Sequence, residues 1–480
     1  MLFNSLTFFI FLPIVFIIYW HFLNKNLKYQ NLFLLISSYF FYAWWDYRFL
    51  SLIIISTIVD FISGSKIYHS KNKDEKLLYL CLSLTTNLLI LGIFKYYNFF
   101  VSSFYDLIGI FGFDTNYESL KIILPVGISF YTFQTLSYSI DIFRNQIKPT
   151  KDIISFAAFV SFFPQLVAGP IERAKNLLPQ IEKKRAFNKF YTFVGVRLII
   201  WGMFKKIVVA DNLAIYVDLF YASHNSFDFF GTITAMFFFT FQIYCDFSGY
   251  SDIAIGIARL FGIKLNRNFK IPYSSKSFSE FWQRWHISLS SWFRDYVYIS
   301  LGGNRLSKIL NFRNLIITFC VSGLWHGANY NFIIWGLIHS LLLILERSFS
   351  YKPISIKINQ YLKVLIVFII TNYTWVIFRT TDLKQAYEVI LNSFNFFNYN
   401  SLKSLELTGT YLSQNGFMMN DIIFMFLTIS FVMLIELYDK KFQENSLIKS
   451  DIFQYIYLQI LIIACLSSTT TNVNFIYFQF

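Results

Sequence analysis

Of 480 residues, 56% are apolar and only 14% are charged, against about 25% charged residues in an average soluble chain, and the mean hydropathy is +0.50. Sixty Phe and thirty-two Tyr cannot be packed in a water-facing globule without exposing large apolar patches, so composition excludes a soluble protein and makes lipid the solvent. The net charge of +14 is not the mark of a nucleic-acid binder, because the basic residues stand in short blocks between apolar runs, as cytoplasmic loops do.

From the N-terminus, Leu2 to Trp20 is uncharged for 19 residues and lacks a basic leader and an A-x-A-like cleavage site, so it reads as a retained first span. Crossing a bilayer takes about 20 mostly apolar residues. By that criterion the clear spans are 2–20, 77–94, 122–140, 153–171, 229–245, 314–345, 364–378, 422–435 and 452–470. Shorter or interrupted ones lie at 30–45, 49–66, 96–113, 191–210 and 213–222. The prediction is an all-α polytopic membrane protein of about 11–13 transmembrane or re-entrant helices. It forms one membrane domain over 1–480, with 379–421, the longest polar stretch, as an extramembrane loop or small helical insert.

Basic loops at 24–28, 66–76, 172–190 and 264–276 are separated by two, four and two spans. Even counts put all four on one face, the cytoplasmic one, and the N-terminus outside. The loop 141–152, with Arg144, Lys148 and Lys151, then faces outward against the charge rule. A re-entrant 153–171, marked by Pro164 and Gly169-Pro170, removes the conflict. Cys81, Cys245, Cys320 and Cys465 show no disulfide or metal-ligand spacing and read as packing residues. No internal repeat is visible, which weighs against a transporter or flippase.

An ionisable side chain at the bilayer centre costs about 2.5–3.5 kcal/mol, so such groups mark a protein interior or a watery cavity. The run Gln242-Ile-Tyr-Cys-Asp246-Phe-Ser248-Gly-Tyr250-Ser-Asp252 interrupts the apolar stretch 229–261, with Gly249, Gly256 and Gly262 nearby. It reads either as a hydrogen-bonded contact holding two broken spans together or as a cavity wall. A second cluster, Phe278-Ser-Glu280-Phe-Trp282-Gln-Arg284-Trp285-His286 and onward to Tyr296, then Gly302 to Arg305, is too polar to span and too aromatic to float free. It reads as interfacial or re-entrant helices, the alternative being a simple aromatic belt.

The third cluster is Val321-Ser-Gly323-Leu-Trp325-His326-Gly327-Ala-Asn329-Tyr-Asn331. His326 sits in a 32-residue run, Asn314 to Leu345, that carries no formal charge. Gly323 and Gly327 flank it and let another backbone or a thin ligand approach the imidazole. Taken alone, an intramembrane His is as readily interhelical glue, and His339, with no Gly or Asn beside it, fits that description. An intramembrane serine protease is disfavoured: Cys320-Val-Ser322-Gly323 lacks the leading Gly of G-x-S-G.

With these blocks in order, the chain resembles the membrane-bound O-acyltransferase superfamily, most closely its bacterial branch of polysaccharide O-acetyltransferases. The matching stretches are Leu124 to Gln134, Phe163 to Ile171, Tyr244 to Asp252, Phe281 to His286, Gly323 to Gly327, Trp375 to Arg379 and Phe475 to Phe480. A lone W-H-G is weak, whereas seven ordered blocks are specific. Residues 379–421 match nothing in the pattern. The resemblance implies a ring of tilted helices around a funnel-shaped waist, with His326 in the position of the family's near-invariant histidine and His286 in that of a second one.

It further implies acyl transfer from a cytoplasmic thioester, acetyl-CoA or another, with no bound cofactor, to an acceptor across the bacterial inner membrane. The implied partners are a periplasmic or extracellular SGNH-type acetyltransferase, a polysaccharide acceptor and membrane lipid, not nucleic acid. Peptidoglycan is the favoured acceptor; an alginate-type exopolysaccharide, or D-alanine transfer to teichoic acid, is the alternative. The expected catalytic residues are His326, as general base or acyl carrier, and His286, which orients the donor or assists proton transfer. Arg284, Trp285, Trp325, Asn329, Asp246 and Tyr250 are the expected substrate-binding residues, with no metal site. Arg284 and the basic loop 264–276 are placed to attract donor phosphates.

Overall fold

The structure, a computed structural model, describes residues 1–112, 118–167, 169–350, 359–395, 401–442, 451–468 and 475. All regular structure among them is helical. Among the described residues, five helical stretches are long and apolar enough to cross a membrane: Leu27–His69, Lys73–Ile110, Tyr330–Ser348, Gln360–Arg379 and Met419–Tyr438. Shorter apolar helices run over Leu6–Phe22, Ile153–Leu166 and Tyr455–Ser467. The chain divides into two compact units, residues 1–199 with 253–267, and residues 200–252 with 268–480.

In the first unit, helices Leu50–His69, Lys73–Leu91 and Ile128–Phe143 meet at the buried carboxylate of Asp60. Ser83 Oγ donates to it at 2.5 Å and Asn87 Nδ2 at 2.9 Å, while Ser56 and Thr135 donate to the Asn87 oxygen. A carboxylate in lipid needs such donors, because water is not there to solvate it. Segment 153–171 is not one span. A nine-residue helix, Ile153–Ser161, breaks at Phe162, and Pro164 opens the next short turn, Phe163–Leu166. Nine residues rise about 14 Å, less than half the roughly 30 Å hydrocarbon core, and that length suits the re-entrant reading.

Two sequence boundaries move. The expected spans 191–210 and 213–222 are one helical run, Lys189–Met203, Phe204–Ala210 and Asp211–Ala222, carried through a π-helical turn. The stretch 229–261, read as a span at 229–245 followed by either a contact between two broken spans or a cavity wall, is a single 32-residue helix, Phe229–Leu260. Its glycines mark close approaches: a Cβ on Gly249 would lie 2.7 Å from the carbonyl oxygen of Gly202. Within the first unit, Gly256 meets Gly195 the same way, at 2.6 Å.

The apolar run 314–345 is, conversely, two helices. Lys308–His326 stops at Gly327, and Tyr330–Ser350 returns against it. A Cβ on Gly323 would fall 2.0 Å from the Phe332 carbonyl oxygen, and one on Gly336 2.2 Å from that of Phe319. The two glycines therefore face the opposite backbone reciprocally, and the group admitted beside Gly323 is the chain's own returning helix.

Among its described residues, the stretch 379–421 carries the helices Leu383–Asn392 and Ser401–Gln414, and the helix Met419–Phe442 begins in it. The first is tied to the rest of its unit by a His224–Glu388 contact of 2.9 Å and by Gln385 donating to the Tyr221 carbonyl. Of the C-terminal block 475–480, only Phe475 lies among the described residues.

Candidate active site

His326 is the last residue of its helix, and the chain leaves it through Gly327 in extended backbone. A Cβ on Gly327 would collide with the Phe332 ring at 2.1 Å, so this turn has no room for a side chain. His326 is 3% exposed. Trp335 and Phe378 stand edge-on to it at 5.3 Å, and Trp325 at 5.0 Å. Trp375 stacks on Trp335 behind them.

His286 lies forty residues earlier, at the joint between the short helices Phe278–Arg284 and Ile287–Phe293. Its backbone is left-handed, φ 41°, which is uncommon for a residue other than glycine. The ring is fully buried, with Phe247 edge-on at 4.6 Å and Asn268 Oδ1 at 3.0 Å from Nδ1. Burial away from water lowers its pKa from the ordinary histidine value, which favours the neutral imidazole. The His286 and His326 ring centroids are 6.5 Å apart, and Trp325 is 6.0 Å from His286. No direct hydrogen bond between two imidazoles closes that distance.

The other expected contacts are distributed around this pair. Trp285 is packed in the aromatic core against Trp375, Phe269 and Phe281, at 4.8, 5.1 and 5.7 Å. Arg284 pairs with Glu280 and donates to Ser274 Oγ at 2.7 Å. Asn329 shapes the hairpin turn: it accepts from the Asn331 amide and donates to the Thr381 carbonyl, both at 3.0 Å. Tyr250 packs on Phe475 at 4.3 Å. His339 contacts Thr374 Oγ1 at 3.1 Å between Trp282 and Trp335. A cleft of about 340 Å³ runs beside the hairpin; Trp282, Ser290, Phe319 and Ser322 line it, together with Arg294 and Arg347. Ser322 places the cleft one helical turn from His326.

Asp246 belongs to a buried charge network that the sequence reading only half identified. Lys206 bonds Asp246 and Asp211 at 2.7 Å each. Lys205 bonds Asp252 at 2.6 Å and reaches Glu436 at 3.5 Å, and Tyr244 donates to Glu436 at 2.5 Å. The missed signal was Lys205-Lys206 inside an apolar run, two intramembrane cations that require partners. Lys206→Met leaves Asp246 and Asp211 buried without their cation. It is expected to cost about 3–5 kcal/mol, read as a lower unfolding midpoint in detergent, and wild-type stability would show that the pairs are not structural.

The membrane-bound O-acyltransferase family model matches residues 143–381. The chain is 39% identical over 451 residues to the probable alginate O-acetylase AlgI of Pseudomonas aeruginosa, covering 93% of this chain and 84% of that one. It is 37% identical over 421 residues to the peptidoglycan O-acetyltransferase of Helicobacter pylori, covering 81% and 79%. Over 238 residues, 47% of this chain and 59% of the relative, it is 29% identical to the teichoic acid D-alanyltransferase of Bacillus subtilis.

Proposed function

This chain belongs to the membrane-bound O-acyltransferase family, and from that premise we propose that it relays acetyl groups from a cytoplasmic thioester across the inner membrane for O-acetylation of a polysaccharide. It is a multi-pass membrane protein and an O-acyltransferase. The observation that carries the reading is the pair of buried imidazoles 6.5 Å apart, reached from two separate parts of the chain.

The chemistry follows from an imidazole whose ring nitrogen can take a proton. His326 takes the proton of an acceptor hydroxyl as its oxygen attacks the thioester carbonyl. The C–S bond breaks, the C–O bond forms, and the departing thiolate receives the proton. His286 lies near enough to touch the same reacting group. An acyl-histidine intermediate on His326 is the two-step version of the same transfer. The cleft beside the hairpin, with Arg294 and Arg347, offers an approach for an anionic thioester donor such as acetyl-CoA. In this reading the N-terminus is outside, no cofactor is bound, and an SGNH-type partner beyond the membrane completes transfer.

Peptidoglycan is the acceptor proposed first. An alginate-like exopolysaccharide is the second reading, favoured by the 39% identity over 93% of the chain to an alginate O-acetylase. Deleting the gene and measuring acetate released by mild alkali from purified sacculi and from exopolysaccharide separates them. Loss from sacculi supports peptidoglycan and loss from the exopolymer supports the second reading. Unchanged acetate in both overturns polysaccharide acetylation.

A further inference from the structure

Asn268 lies in the basic loop 264–276, yet it is 1% exposed. Three donors converge on its Oδ1: the Ser288 amide at 3.3 Å, Ser288 Oγ at 2.9 Å and His286 Nδ1 at 3.0 Å. A backbone N–H can only donate, so the carboxamide atom facing Ser288 is the oxygen and not the NH₂. That oxygen can only accept, so Nδ1 of His286 carries the hydrogen. In the neutral ring the lone pair then belongs to Nε2.

The asparagine is itself fixed from two sides. Its Nδ2 donates to Ser251 Oγ at 3.2 Å, and its carbonyl accepts from the Ile287 amide at 2.8 Å. The bonds to Ile287 and Ser288 hold the two residues that follow His286, whose left-handed backbone needs such support. Phe247 sets the ring from the other face. Resting on the reading above that His286 assists His326, we infer that Asn268 is a positioning residue that sets the tautomer and tilt of the His286 imidazole.

The test compares His286→Ala, Asn268→Ala, Asn268→Asp and the double variant Asn268→Ala/His286→Ala in cells. The readout is base-labile acetate per molecule of membrane-inserted protein. Asn268→Ala is expected to fall to within about 3-fold of His286→Ala. Asn268→Asp keeps an oxygen acceptor opposite Nδ1, and the Ser251 hydroxyl can reverse to donate to it. It is expected to recover at least about 10-fold over Asn268→Ala. The double variant is expected to be no worse than His286→Ala alone, as residues acting as one unit are.

A wild-type rate for Asn268→Ala, an Asn268→Asp as low as Asn268→Ala, or a double variant at the product of the two losses overturns the inference. If Asn268→Ala does not accumulate, Asn268→Asp decides alone: retained transfer supports the assignment, and a loss equal to that of His286→Ala overturns it. Wild-type transfer by His286→Ala removes the reading underneath. An impaired His286→Ala beside an unimpaired Asn268→Ala removes only the role of Asn268.

Discussion

His326→Ala is expected to lower acetyl transfer by at least about 10²-fold, at normal abundance in the membrane. The side chain ends its helix and is enclosed by Trp325, Trp335 and Phe378, so its removal leaves a cavity at a turn and does not unpick the hairpin. The hairpin contacts at Gly323 and Gly336 stay in place. Abundance by immunoblot and base-labile acetate in the same cells give both halves of the result. Full transfer by this variant would sink the assignment of His326 as base and as acyl carrier alike.

Gly323→Val should be as damaging, by a different route. The new Cβ would fall 2.0 Å from the Phe332 carbonyl oxygen and 2.8 Å from its carbon, and neither is the end of a flexible side chain. The helices must part, losing contacts along both, at a cost of about 1–3 kcal/mol or more. A lower unfolding midpoint in detergent is expected, together with lost transfer, because His326 sits one turn further along the displaced helix. Gly409→Ala is the control: nothing lies within 4 Å of its added Cβ, so stability should hold. Equal midpoints for Gly323→Val and the control would disprove the packing argument.

The membrane class and the family were legible because they depend on composition and short motifs, and the two histidines picked out by motif lie 6.5 Å apart. Helix ends were not legible where glycine was the only clue. The polar run 242–252 read in one alternative as a contact between two broken spans, yet the helix continues and its Gly249 and Gly256 admit neighbouring carbonyls. Gly327 lies in an equally apolar run and does end a helix. A missing side chain states that something comes close, not what comes close. Asn268 escaped notice for a related reason. In sequence it is a polar residue among basic ones in a loop, and only the fold brings it under His286. Lys205 and Lys206 were visible as charges, but their carboxylates lie up to 231 residues away along the chain.

The aromatic enclosure of His326 has a consequence for what the enzyme wastes. An imidazole able to draw a proton from a sugar hydroxyl draws one equally well from a water molecule, and the product is then free acetate. Trp325, Trp335 and Phe378 enclose the ring, and His326 is 3% exposed, so bulk water is held away from it. In the reaction proposed above, the same walls that make this histidine look like packing would favour ester formation over hydrolysis of the donor.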